Sequence, residues 1–323
     1  MIAALLVGVL LQSPASQGPA PGLKTRPTSE QTSRVDTNAL MTRAGEALSR
    51  GDRTEAKRLL TEAGERGRSV RALMQLARLY AEEGNANGAA GALRAALALA
   101  PNSEDVLASF AELSLTVHAP VQAILTLESL TRLCPTEPRY AYQLGVGLMM
   151  AGDMPAATDA LRTANTLEPD RPLTLLALGL AYNNQKLYAD ARPLLRRALD
   201  LDPESLETLA ALSEAEGGTG DLVSAERDAT RVLTRAGSNA TANLVIGMVR
   251  MAQQRYPEAR DALLTAATSD PKSPKPEYQL SLVFARLGDQ ASADQHLARY
   301  REKLRALEAA VEALHKQSGT TKR

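Results

Sequence analysis

The stretch LLRRALDLDPES, residues 194–205, ends one helical pattern, breaks at Pro203 and begins another, and it has relatives along the chain. LRAALALAPNSE at 93–104, LRTANTLEPDRP at 161–172 and LLTAATSDPKSP at 263–274 share its outline. The breaks keep step: Pro101, Pro135, Pro169, Pro203 and Pro271 stand 34 residues or a multiple of 34 apart, and Gly237 fills the vacant place. A period of that length marks a stack of repeated units.

Sliding the chain by that period aligns more than the breaks. Twelve residues before each break stands a small residue: Ala89, Ala123, Ala157, Ala191, Ala225 or Ala259, with Ala56 and Ala293 in phase at the ends. Twelve residues before those come Ala44, Ala77, Ala111, Gly145, Gly179, Ser213, Gly247 and Ser281. Small residues on two consecutive helices let their backbones approach closely. Leucine fills the remaining inward positions, as at Leu76, Leu144, Leu178, Leu212 and Leu280 on the first helix and Leu93, Leu161, Leu195 and Leu263 on the second. Each leucine, once buried, contributes about 1.5–3 kcal/mol.

Between the two helices of a unit falls Gly-Asp at 51, 152, 220 and 288 and Gly-Asn at 84. Glycine ends a helix in the left-handed conformation, and Asp or Asn caps the next one. The breaks at 118–119, 186–187 and 254–255 lack the pair, so looser turns are expected there. Pro193 falls inside a helix and should remove one hydrogen bond. GGTG at 217–220 reads as a loosened turn between helices.

Small, apolar and proline phases agree together over eight units, and this pattern resembles the tetratricopeptide repeat family. The resemblance implies an all-α, right-handed superhelical solenoid of helix-turn-helix units, with a concave groove lined by the first helix of each unit. Its usual task is to hold peptides or partner proteins. Residues 37–305 form the expected solenoid of eight units, and 306–317 an extended C-terminal capping helix. Arg43 and Arg68 depart from the pattern in the first unit, as do Leu130 and Val232, where the family prefers alanine.

The groove chemistry comes from side chains in the phase opposite the core. In the fifth unit Leu173, Leu176, Leu180 and Asn183 recur at spacings of three, four and three and share a face. The other face already holds Leu175, Leu178 and Tyr182. A helix apolar on both faces is either enclosed or binding something. The same doubling appears with Tyr142, Val146 and Met149 in the fourth unit and Leu244, Met248 and Met251 in the seventh, while Glu207 and Glu214 interrupt it in the sixth. An apolar, methionine-containing partner groove follows, suited to an extended peptide or a helix. A carboxylate-clamp groove is not expected, since its positions hold Met41, Met74, Ala108 and Tyr142. An asparagine ladder is absent as well, its phase reading Thr42, Gln75, Ser109 and Gln143.

The last helix offers a second reading. Ala293, Leu297, Tyr300, Leu304, Leu307, Val311 and Leu314 continue a three-four alternation over about Gln290 to Lys316. Leu304, Leu307, Val311 and Leu314 outrun the eighth unit and are candidates for self-association into a homodimer, short of the heptads a secure coiled coil needs.

Composition narrows the rest. Among 323 residues, 37 Lys and Arg balance 37 Asp and Glu, so no net basic field draws nucleic acid or an anionic membrane. Two Phe, eight Tyr and no Trp argue against base-stacking surfaces. Cys134 is the only cysteine, which excludes an internal disulfide and a Cys-built zinc site. His118, His296 and His315 share no ligand spacing, and no P-loop or nucleophile-elbow motif appears, so neither enzyme activity nor a cofactor is expected. Ile2 to Leu11 is an unbroken apolar run too short to span a bilayer. Residues 1–15 read as a secretory signal and 16–36 as a Pro, Ser and Thr-rich disordered linker, with 318–323 a disordered tail. An exported, periplasmic or secreted protein is expected, with a cytoplasmic one as the alternative.

Overall fold

Apolar residues at helical spacing, interrupted every turn of the repeat by a proline or glycine, produce helices and only helices. The structure, a computed structural model, describes residues 29–318, and every regular element among them is an α-helix. The expected signal, residues 16–28 of the linker and residues 319–323 of the tail lie outside the described residues. The chain divides into two compact units after Leu133.

In the first unit α1 (Ser29–Ser49) pairs with α2 (Arg53–Glu65), α3 (Val70–Glu82) with α4 (Ala86–Leu99), and α5 (Glu104–Thr116) with α6 (Pro120–Leu133). The start of α1 corrects the linker reading: residues 29–36 are helical. Their sequence SEQTSRVD holds one apolar residue and so shows no period, yet it contains no proline or glycine to stop a helix.

In the second unit α7 (Pro138–Ala151) pairs with α8 (Met154–Leu167), α9 (Pro172–Asn184) with α10 (Tyr188–Leu201), and α11 (Leu206–Gly218) with α12 (Leu222–Ala236). Two more pairs follow, α13 (Ala240–Ala252) with α14 (Tyr256–Ser269) and α15 (Lys275–Leu287) with α16 (Gln290–Ser318). The odd-numbered helices also touch one another in sequence, α7 to α9, α9 to α11, α11 to α13 and α13 to α15, and so form an inner layer with α8, α10, α12 and α14 outside. Helix α10 continues through Pro193.

The two small-residue phases set the spacing of each pair. A Cβ added to Gly145 would stand 2.4 Å from Leu161, and one on Gly179 or Gly247 would stand 2.5 Å from Leu195 or Leu263. Those three leucines are wholly buried, as are Ala157, Ala191, Ala225 and Ala259 on the facing helices. The bare glycine backbone is therefore the hole that each leucine fills.

The turns follow their sequence, with one difference. Gly51, Gly84, Gly152, Gly220 and Gly288 hold φ between 71° and 89°. Asp52, Asn85, Asp153, Asp221 and Asp289 each accept a hydrogen bond from a backbone N–H three residues on. The turns expected to be looser adopt the same left-handed geometry, with His118 at φ 55° and Lys186 and Gln254 at 61°. Packing of the flanking helices imposes the turn even where no glycine eases it. Helices α10 and α14, which follow two of these turns, also lack a side-chain cap. GGTG divides: Thr219 and Gly220 form the turn, while α11 runs through Gly218, where a Cβ would lie 2.2 Å from the Tyr188 ring, so this glycine admits an aromatic side chain.

The last pair is joined by a buried acid. Glu277 on α15 accepts from His296 Nδ1 at 2.7 Å and from Lys303 Nζ at 2.9 Å, both on α16. Burial pushes its carboxyl up, but these two donors outweigh burial and hold it below the ordinary glutamate value. Phe284 stacks on His296 with ring centroids 5.2 Å apart.

Two outcomes follow. Gln254→Gly, at an exposed left-handed position, should raise stability by ~0.5–1 kcal/mol in chemical denaturation, because glycine carries no Cβ penalty there. Glu277→Gln should cost about 1–3 kcal/mol at neutral pH. The contribution of a carboxylate with a depressed pKa is present above the unfolded-state value near 4.5 and is lost as pH falls through the lower folded value. Denaturation of variant and wild type should therefore converge as pH falls through that lower folded value.

Candidate functional site

All five inner helices of the second unit contribute to one hollow. Met149 comes from α7, Asn184 from α9, Glu214 from α11, Leu244 and Met248 from α13, and Tyr278 and Gln279 from α15. Tyr300, Leu304 and Leu307 of α16 close its far side and leave a cavity of ≈ 430 Å³. First helices of successive repeats stand side by side, so residues one period apart line a common face.

Polar side chains cross the hollow rather than point into bulk water. Glu214 is 5% exposed and pairs with Lys275 at the start of α15, two repeats further on. Lys186, in the turn after α9, lies 5.9 Å from the Tyr278 ring centroid, and Tyr278 lies 5.2 Å from Tyr300. Burial, and secondarily the Glu214 charge, push the Tyr188 phenol above its usual value. At the α7 end, burial raises Tyr142 as well; Arg171, 5.1 Å from its ring, opposes the rise and Glu207 adds to it. Burial also raises the Glu207 carboxyl.

The far half of α16 reaches back to α7. Leu307 Cδ2 and Val311 Cγ2 would stand 3.4 and 3.6 Å from a Cβ built on Gly152, so they lie beside the turn between α7 and α8. Leu314 is 1% exposed. His315 Nε2 meets Asp153 Oδ2 at 2.6 Å, while Oδ1 of the same carboxylate caps α8 at Ala156 N.

Of the expected groove residues, the structure brings Met149, Leu244 and Met248 together around the cavity. Tyr142 and Val146 are buried. Leu173, Leu180 and Met251 are half-buried, Leu180 packing near α11 and Met251 beside Leu263 and Leu280. Two expectations need correction. Leu176 belongs to the core with Ala211, Leu212 and Ala215, and Asn183 is wholly buried, its Nδ2 donating to the Ala211 carbonyl at 2.8 Å. Both brace α9 against α11, because that side of α9 faces its inner neighbour. The four residues considered for self-association are engaged by their own chain: Leu304 and Leu307 line the cavity, and Leu307, Val311 and Leu314 make the contacts above.

Periodicity did not single out Tyr188, Tyr278, Lys275 or His315, and it marked Tyr300 only as part of the last helix's stripe and Asp153 only as a helix cap. The nearest signal was Glu214, which interrupted the apolar phase. Among the described residues no group of His, Cys, Asp and Glu is arranged to hold a metal ion, and no helix is long and apolar enough to cross a membrane.

Known proteins bear on this arrangement through the repeat. A tetratricopeptide repeat family model matches residues 41–104, 122–205 and 211–274, well over half of the chain. A tetratricopeptide repeat protein from Parabacteroides merdae is similar in structure, with a TM-score of 0.57 at 14% identity, over 77% of this chain and 99% of that one. A chain of the APC/C hetero-tetramer Cut9-Hcn1 gives 0.55 at 16% identity, over 86% of this chain and 55% of that one. Pseudomonas aeruginosa pilF gives 0.50 at 22% identity, over 64% and 95%. No curated protein matches the chain. At such identities the structural likenesses show the fold alone, and the family rests on the repeat itself: the chain belongs to the tetratricopeptide repeat family.

Proposed function

We propose that this protein is a non-enzymatic interaction scaffold whose second unit receives an apolar helix of a partner protein on its inner face. One observation carries the reading: an amphipathic helix of the chain itself, the far half of α16, already lies on that face. Met149, Leu244 and Met248 supply the apolar contact, and the thioethers adapt their shape to different side chains. A helix satisfies its own backbone hydrogen bonds, so a face whose Glu214 and Lys275 are already paired with each other suits it better than an extended peptide. The inner helices are ordered beforehand, which leaves the partner to bear most of the ordering cost.

A photo-crosslinking amino acid at Met248 in the source cell tests this. A discrete heavier adduct is expected, absent from a probe at the exposed Val223 and lost when Met149→Glu charges the same cavity. Equal adducts from both positions, or none at Met248, would remove the groove reading. The same gel reports on self-association, since an adduct at twice the chain mass assigns the surface to a second copy.

A further inference from the structure

The two halves of α16 are held in different ways. Residues 290–303 are built into the last repeat through Ala293, the buried His296 and the Lys303–Glu277 ion pair. Beyond Lys303 the helix touches the groove along one edge only. Leu304 and Val311 are half-buried and Leu307 remains 40% exposed, while Arg305, Ala306, Glu308, Ala309 and Ala310 all face water. The strong points come at the end, in the buried Leu314 and the His315–Asp153 contact. Under this span the ≈ 430 Å³ cavity stays unfilled. A helix that covers an apolar face without filling it leaves contact area for a better-fitting competitor.

We propose that residues 304–315 are the groove's resident ligand, a tethered helix in the partner's seat that must swing out after Lys303 before the partner enters. The proposal rests on the groove reading above and adds what the seat selects. The partner is an amphipathic helix with Leu or Val-like side chains at the spacing of 304, 307, 311 and 314. A histidine or basic residue follows the last of them and meets Asp153. Bulkier apolar side chains than Leu304 and Leu307 would reach the open volume.

The test keeps the full chain. A Cβ on Gly152 would lie 4.0 Å from Leu307 Cβ, close to the usual disulfide separation. Gly152→Cys with Leu307→Cys, in a Cys134→Ser background, should therefore form an internal disulfide that pins the tail. The probe is a fluorescein-labelled synthetic peptide of residues 302–318, followed by anisotropy. Oxidised protein should bind it at least tenfold more weakly than the same protein reduced, so any strain of cysteine at Gly152 cancels. Leu314→Asp in an otherwise native chain should bind it at least tenfold more tightly than wild type.

Failure of the disulfide to close would overturn resident occupancy, as would disulfide-linked dimers in its place, which would put the tail in a second copy's groove. Equal binding by oxidised and reduced protein would overturn it too. If Met248→Glu still abolishes binding to the Leu314→Asp chain in that last case, the groove reading survives alone. Absence of peptide binding to every form would remove both.

Discussion

A leucine seated on bare backbone sets the geometry of the second unit. Leu161, Leu195 and Leu263 occupy space that any side chain at Gly145, Gly179 or Gly247 would take. That contact draws the two helices of a repeat together, and the buried alanines of the second helix complete the close approach. Once each pair is closed, each first helix packs against the second helix of the preceding repeat and also lies beside the first helix of the next one. The inner layer is the consequence, and with it a shared face on which residues from five repeats meet.

The same constraint explains what could be read from residue order. The period, the helix pairs and most of the turns are written in residue types that recur at fixed positions, so they were legible. Backbone conformation was less so, because it belongs to the packed pair and not to one residue. Lys186 and Gln254 take the left-handed turn that glycine takes elsewhere, since helices held by the leucine contact leave the chain no other route. Leu176 and Asn183 shared a face with Leu180 on a helical wheel, yet the offset between neighbouring inner helices turns them into the α9–α11 contact. A wheel gives angular position on one helix; it does not say where the next helix lies.

The polar members of the site were hidden for a different reason. Glu214 looked like an interruption of an apolar stripe because its partner, Lys275, comes 61 residues later and on no adjacent helix. Charges that pair across two repeats leave no local pattern. The pairing has a clear use: a carboxylate buried among apolar side chains is costly alone. Paired with Lys275 it fixes α11 against the start of α15 and borders the cavity without needing water.

Tethering then sets how strong a partner must be. A segment joined to its own groove acts at an effective concentration of about millimolar, so even a shallow seat stays largely occupied. If the tail holds the groove about 99% of the time, a partner's apparent affinity falls about 100-fold below its intrinsic one. A helix with only the tail's own contacts gains little by competing. One that fills the space beneath Leu304 and Leu307, and also satisfies Asp153, makes contacts that the tail leaves unmade. On the proposed reading the groove discriminates by fit against its own tether, and its apolar face is kept from indiscriminate association by a helix weak enough to leave.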